Sequence, residues 1–242
     1  MKFLEDFRQK ALLSPIQIPL DQFLLLAACM FWVWYASAVI AQLLAIEDPV
    51  WLIIYSALPA HVLIIAFFAL KSRFFKKKFP EINPRKINNS FAWLGMVFGA
   101  VIVGMVSNIL WANFLELLRN FFPLKLDPQL IADAMKSISS ECQLIAMLFL
   151  VSVAAPMAEE LVFRYFLYRG LKNYISASKA AVLVSFVFAL LHVNLASFGG
   201  LFVLSVIFIY LYEKTQNLWT AIAAHGLSNA LALVGVLLLD AI

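Results

Sequence analysis

Seven long apolar stretches follow one another along the chain, most of them close to the ~20 residues that a helix needs to cross the hydrocarbon core of a bilayer. In lipid every backbone N–H and C=O must be satisfied within the segment, so stretches of this kind form helices rather than open strands. They fall at about 21–45, 51–70, 91–115, 141–158, 179–195, 198–212 and 218–239. An eighth is possible, because 159–172 continues after Pro156 with helical spacing while carrying Glu159, Glu160, Arg164 and Arg169. Hydrophobic residues make up 64% of the chain and charged ones 13%, against about a quarter charged in soluble domains, which excludes a soluble globular protein. The expected fold class is all-α: one integral membrane domain over 1–242, a polytopic transmembrane helix bundle of seven to eight spans.

The ends of the apolar stretches suggest how the bundle is oriented. No signal peptide with a cleavage site precedes the first long run, and the amphipathic mixture over 1–20 suits a short helix lying in the interface. With the amino terminus in the cytoplasm, all but three of the 18 basic residues fall on the inner side, including Lys71, Lys76, Lys77, Arg85, Arg164, Arg169 and Lys214. The basic run from Lys71 to Lys86 is then a cytoplasmic loop, and no nucleic-acid partner is expected. Gly95, Gly99 and Gly104 have the small-residue spacing that lets helices approach closely. The two cysteines, Cys29 and Cys142, support neither a disulfide framework nor a Cys-based zinc site and suit buried packing.

Ionisable groups inside a span need partners or a task. The densest cluster is Glu159-Glu160-Leu161-Val162-Phe163-Arg164, just after Pro156. Glu160 stands four residues before Arg164 and is its natural ion-pair partner, while Glu159, about 100° away on a helix, points elsewhere. His192 shares a helix face with Phe188, and His225 shares one with Asn229. His61 has no such companions and is assigned to packing or the interface. Each of these groups has a purely structural explanation as a juxtamembrane charge cluster or an interhelical hydrogen bond. Together they form an inventory for amide hydrolysis by an activated water: a carboxylate base, a histidine, and two donors for an oxyanion. No Gly-x-Ser-Gly, His-Glu-x-x-His or Gly-x-Gly-Asp site occurs.

Glu159-Glu160-x-x-x-Arg164, Phe188-x-x-x-His192 and His225-x-x-x-Asn229, in that order within a polytopic chain, resemble the CPBP family of CAAX proteases and bacteriocin-processing enzymes, also called Abi or Rce1-like. The motif-bearing region is 141–240; the first 140 residues resemble the family only in being helical and hydrophobic. The resemblance implies an intramembrane endopeptidase acting on a membrane-associated peptide or protein. Glu159 would be the base that activates water, assisted by His192, with His225 and Asn229 as the oxyanion hole. Glu160 would position the first pair and Arg164 would hold a glutamate by an ion pair.

The resemblance carries a glutamate-dependent mechanism with no cofactor. A catalytic zinc, which takes three protein ligands and a water, stays open because Glu159, His192 and His225 could supply them. The resemblance also points to a prokaryotic inner membrane and to bacteriocin maturation or immunity. A non-catalytic immunity factor or transporter-like subunit would use the same residues as a polar network.

One spacing conflicts with a simple bundle. His192 lies about 20 Å along its span and His225 about 10 Å into the last one, so the two are level only if helices tilt, start deeper, or surround a water-filled cavity, which hydrolysis also requires.

Overall fold

A computed structural model describes residues 12–74, 79–122 and 134–239, with side chains described except at 71–74 and 239. Seven long helices follow in order: α1 (Leu20–Leu43), α2 (Pro49–Phe74), α3 (Ser90–Arg119), α4 (Glu141–Leu171), α5 (Ala177–Leu191), α6 (Leu195–Thr215) and α7 (Leu218–Leu239). The described residues contain no strand. Six of these helices are long and apolar enough to cross a membrane, while α5, at 15 residues, is shorter. The protein is an integral membrane helix bundle. The segment 159–172, which the sequence left between span and loop, continues α4.

Helix α4 is the axis of the bundle. It packs against α2, α5, α6 and α7, and its rings reach α1 through Phe23–Phe166 and Phe31–Phe163. Every residue from Glu160 to Tyr168 is buried. The helices around it carry their apolar side chains outward as well as inward, as at Phe91, Ile102 and Leu110 of α3, which suits a lipid surround. The close approach expected of the glycines in α3 occurs at one of the three. A Cβ on Gly104 would collide with Leu204 of α6, whereas Gly95 and Gly99 have nothing within 4 Å. Cys29 and Cys142 are exposed rather than buried.

One end of the bundle is closed by two irregular segments. Residues 12–19 are irregular rather than helical, with Leu13, Ile16 and Ile18 buried; the rest of the amphipathic segment expected over 1–20 lies outside the described residues. Glu213 of α6, at 4% exposure, accepts the backbone N–H groups of Leu12 and Leu13 at 2.7 and 2.9 Å, the Tyr168 hydroxyl at 2.8 Å and the Lys172 ammonium. Burial pulls the Lys172 ammonium below its usual range, and the Glu213 carboxylate opposes that shift. Arg169 donates to the carbonyls of Ser14 and Glu81 at 2.8 and 2.7 Å and to the Tyr212 hydroxyl at 2.9 Å. The loop after α2 is tied down similarly, with Pro80 and Ile82 carbonyls accepting from Tyr165 and Tyr212 and Asn83 capping α7 at Leu218. Arg169, counted from sequence among the charges that orient the chain, is therefore a buried cation.

Removing Glu213 takes the carboxylate from the Lys172 ammonium, from the buried Leu13 N–H and from the buried Tyr168 hydroxyl. Glu213→Ala is expected to lower stability by about 3–5 kcal/mol, read as thermal unfolding in detergent, while Glu116→Ala, which breaks an exposed pair with Arg119, costs at most about 1 kcal/mol.

Candidate active site

The site is built where α4 departs from regular α geometry. Leu150–Ala154 and Glu160–Tyr168 are π-helical, and Ala155–Glu159 between them is α-helical. Pro156 has no N–H, so with the π spacing of this segment the Val151 carbonyl, five residues before it, loses its intrahelical donor. Helix α7 supplies the replacement: Asn229 Nδ2 donates to the Val151 carbonyl at 3.0 Å. Gly226 makes that approach possible, because a Cβ there would collide with the Ser152 carbonyl oxygen. Asn229 keeps its second amide hydrogen for another acceptor.

Adjacent carboxylates in α4 go to different environments, as their helical offset requires. Glu160 is fully buried; its Oε1 lies 2.9 Å from Arg164 Nη1 and 2.8 Å from His225 Nδ1. Arg164 donates from Nη2 to Ser205 Oγ at 2.9 Å, and its guanidinium lies 4.4 Å from the centre of the Phe188 ring and 5.2 Å from that of Phe208. The His225 ring stacks on Phe208 at 5.0 Å. Glu160 thus holds His225 of α7 and Arg164 of its own helix.

Glu159 faces a cleft of about 490 Å³ whose walls come from four helices. Trp34 and Tyr35 of α1, His61 of α2, Phe163 of α4 and His192 at the end of α5 line it together with Glu159. Glu159 Oε2 is buried with no hydrogen-bond partner and lies 3.7 Å from His225 Nε2, and Oε1 lies 4.0 Å from His61 Nε2. The two imidazoles that the sequence set at different heights both pack against the Phe188 ring, at 4.8 Å for His192 and 5.9 Å for His225. His192 caps α5, and the turn behind it carries Val193 at φ 48°, a left-handed conformation that a β-branched residue rarely adopts.

All three histidines are anchored through Nδ1. That atom lies 2.6 Å from the Ala57 carbonyl in His61, 2.8 Å from the Phe188 carbonyl in His192 and 2.8 Å from Glu160 in His225. Carbonyls and an ion-paired carboxylate only accept, so Nδ1 carries a proton and Nε2 is the nitrogen left for the site, a lone pair in the neutral ring and a donor in the doubly protonated one. Among the described residues, no three or more His, Cys, Asp or Glu side chains are arranged to hold a metal ion, so the set Glu159, His192 and His225 does not form a ligand cage.

Residues 141–231 match the family model Rce1-like, type II CAAX prenyl endopeptidase. The match spans Glu159, Glu160, Arg164, His192, His225 and Asn229, and the resemblance of this segment to CAAX proteases is thereby shown. No curated protein and no solved structure matches the chain. His61 precedes the Rce1-like segment. The sequence assigns it to packing or the interface; it lies in an apolar stretch, 49–70, that holds no Asp, Glu, Lys or Arg, and the fold brings it to the cleft.

The contact between Gly226 and Ser152 makes a specific demand. Gly226→Ala pushes α7 away from α4 and is expected to cost about 1–3 kcal/mol in a denaturation experiment, whereas Gly95→Ala, with open space around it, leaves stability unchanged or slightly higher.

Proposed function

We propose that the chain is an intramembrane protease in which Glu159 activates a water molecule against a peptide bond held in the cleft between α1 and α5. The observation that carries this is the setting of Glu159: a carboxylate with one oxygen buried and unpartnered, at the wall of a cleft large enough for a peptide segment, with imidazole nitrogens 3.7 and 4.0 Å away. A carboxylate oxygen with no hydrogen bond of its own at a cleft wall is free to accept one from a water.

The chemistry follows from where protons can sit. Glu159 takes a proton from the attacking water as the oxygen bonds to the carbonyl carbon, and returns it to the amide nitrogen as the C–N bond breaks. His192, with its Nε2 lone pair free, assists on the open side of the cleft. The oxyanion is received by α7. Asn229 has one amide hydrogen beyond the one given to Val151, and His225 donates from Nε2 when it carries both protons, with Nδ1 held by Glu160. Arg164 pairs with Glu160, which in turn holds His225 through Nδ1.

The orientation proposed is that read from the basic residues, with the amino terminus on the cytoplasmic side of a prokaryotic inner membrane. The substrate class is a peptide or protein at the membrane, and a prenylated peptide ending in a CAAX sequence is the probe that the family match recommends. Glu159→Gln is expected to lower turnover of that probe by about 10²-fold or more with a chelator making no difference, and Asn229→Ala by about 10²- to 10³-fold. Glu159→Gln should accumulate in the membrane as well as the unmodified protein does, whereas Asn229→Ala also leaves the Val151 carbonyl without its donor, so its activity is compared per folded protein. A polar network without catalysis would tolerate Glu159→Gln, and undiminished cleavage by that variant would overturn the proposal.

A further inference from the structure

We infer that His61 is part of the hydrolytic centre: its Nε2 and the Glu159 carboxylate together hold the attacking water, each accepting one of its hydrogens. This rests on the hydrolytic function proposed above and adds a residue that lies outside the segment matched to the family.

The inference follows from two acceptors that face each other. The Ala57 carbonyl can only accept, so His61 donates to it from Nδ1, and the neutral ring presents a lone pair at Nε2. Glu159 Oε1, 4.0 Å from that nitrogen, is an acceptor too when ionised. Two acceptors cannot bond each other, and 4.0 Å is beyond any direct hydrogen bond. A molecule with two hydrogens at a water's angle, bonded at about 2.8 Å to each, spans about 4.4 Å, close to the separation present. Both groups line the same cleft of about 490 Å³, against the roughly 30 Å³ that a water occupies. The ring is well fixed for the task, at 6% exposure and 5.7 Å from the Trp34 ring, on the α2 wall facing α4.

This arrangement assigns both hydrogens of the water. One passes to Glu159 as the new C–O bond forms and the carbonyl electron pair moves to its oxygen. The other stays on the attacking oxygen, bonded to His61 Nε2, so the remaining lone pair is aimed rather than free to rotate. The proton held by Glu159 then goes to the amide nitrogen as the C–N bond breaks, which gives the acid and the amine with no other reactant. Orientation of this kind acts on turnover and leaves substrate binding alone.

The test uses the full-length protein in lipid nanodiscs with the prenylated CAAX peptide, comparing the unmodified chain, Glu159→Gln, His61→Phe and His61→Gln. His61→Phe keeps a ring against Trp34 and has no acceptor; it is expected to lower kcat by about 10- to 10²-fold with KM within about threefold. His61→Gln restores an acceptor oxygen and should recover much of that loss. A His61→Phe kcat near that of the unmodified protein, an effect confined to KM, or a Gln variant as impaired as Phe would overturn the inference. An experimental structure that resolves waters gives a check independent of how the variants fold: a water within hydrogen-bonding reach of both Nε2 and Glu159 is expected, and an ordered cleft without one rejects the inference. Should Glu159→Gln cleave as well as the unmodified protein, the hydrolytic function itself fails and this inference with it; loss in Glu159→Gln with full activity in His61→Phe rejects His61 alone.

Discussion

The fully buried pair of Glu160 and Arg164 is the interaction around which the bundle is arranged. Two charges removed from water carry a desolvation penalty of several kcal/mol each, and their mutual attraction offsets it only with good geometry and further hydrogen bonds. The structure meets this in part: a 2.9 Å contact between the two, a bond from Arg164 to Ser205 of α6, a bond from His225 of α7 to Glu160, and aromatic rings from α5 and α6 beside the guanidinium, while Glu160 Oε2 and Arg164 Nε make no hydrogen bond. Each requirement recruits a different helix. The ion pair on α4 therefore dictates which faces of α5, α6 and α7 turn inward, and the placement of His225 is a by-product of satisfying Glu160.

A second constraint acts on the same helix from the opposite direction. Pro156 deletes a donor in the middle of a span, where no water can replace it, and the π-helical segments on either side of residues 155–159 redistribute the remaining backbone bonds. The carbonyl of Val151 goes to Asn229, and the smallness of Gly226 lets α7 come near enough to serve it. A local defect in one helix thus fixes the register of another. The helical offset of adjacent residues then places Glu159, one residue before the ion pair, on the cleft wall while Glu160 stays interior.

Much of the fold was legible in the sequence because lipid leaves a chain few options. Each long apolar run became a helix near its expected bounds, since only an internally satisfied backbone is stable there. The interior pairing of Glu160 with Arg164 was legible for the same reason, as a four-residue offset on one helix. The closed end of the bundle was not. Arg169 and Lys172 look like orienting charges when only their proximity to a span end is known, yet Glu213, forty residues away in the chain, and the irregular segment 12–19 draw them inside. Nor was His61: it sits alone in an apolar helix, and its significance depends on α2 packing against α4.

By itself the sequence determined the solvent of the protein, the helices, and a short set of polar residues too costly to bury without purpose, because those follow from composition and from spacing along one helix. Tertiary structure decided which of those residues meet. It put Glu160 with His225, brought His192 and His225 to a common Phe188 ring despite their different depths, and added His61 to the cleft. Such relations join helices that are distant in the chain, and the distances between them are set by how proline, glycine and buried charge on α4 allow its neighbours to pack.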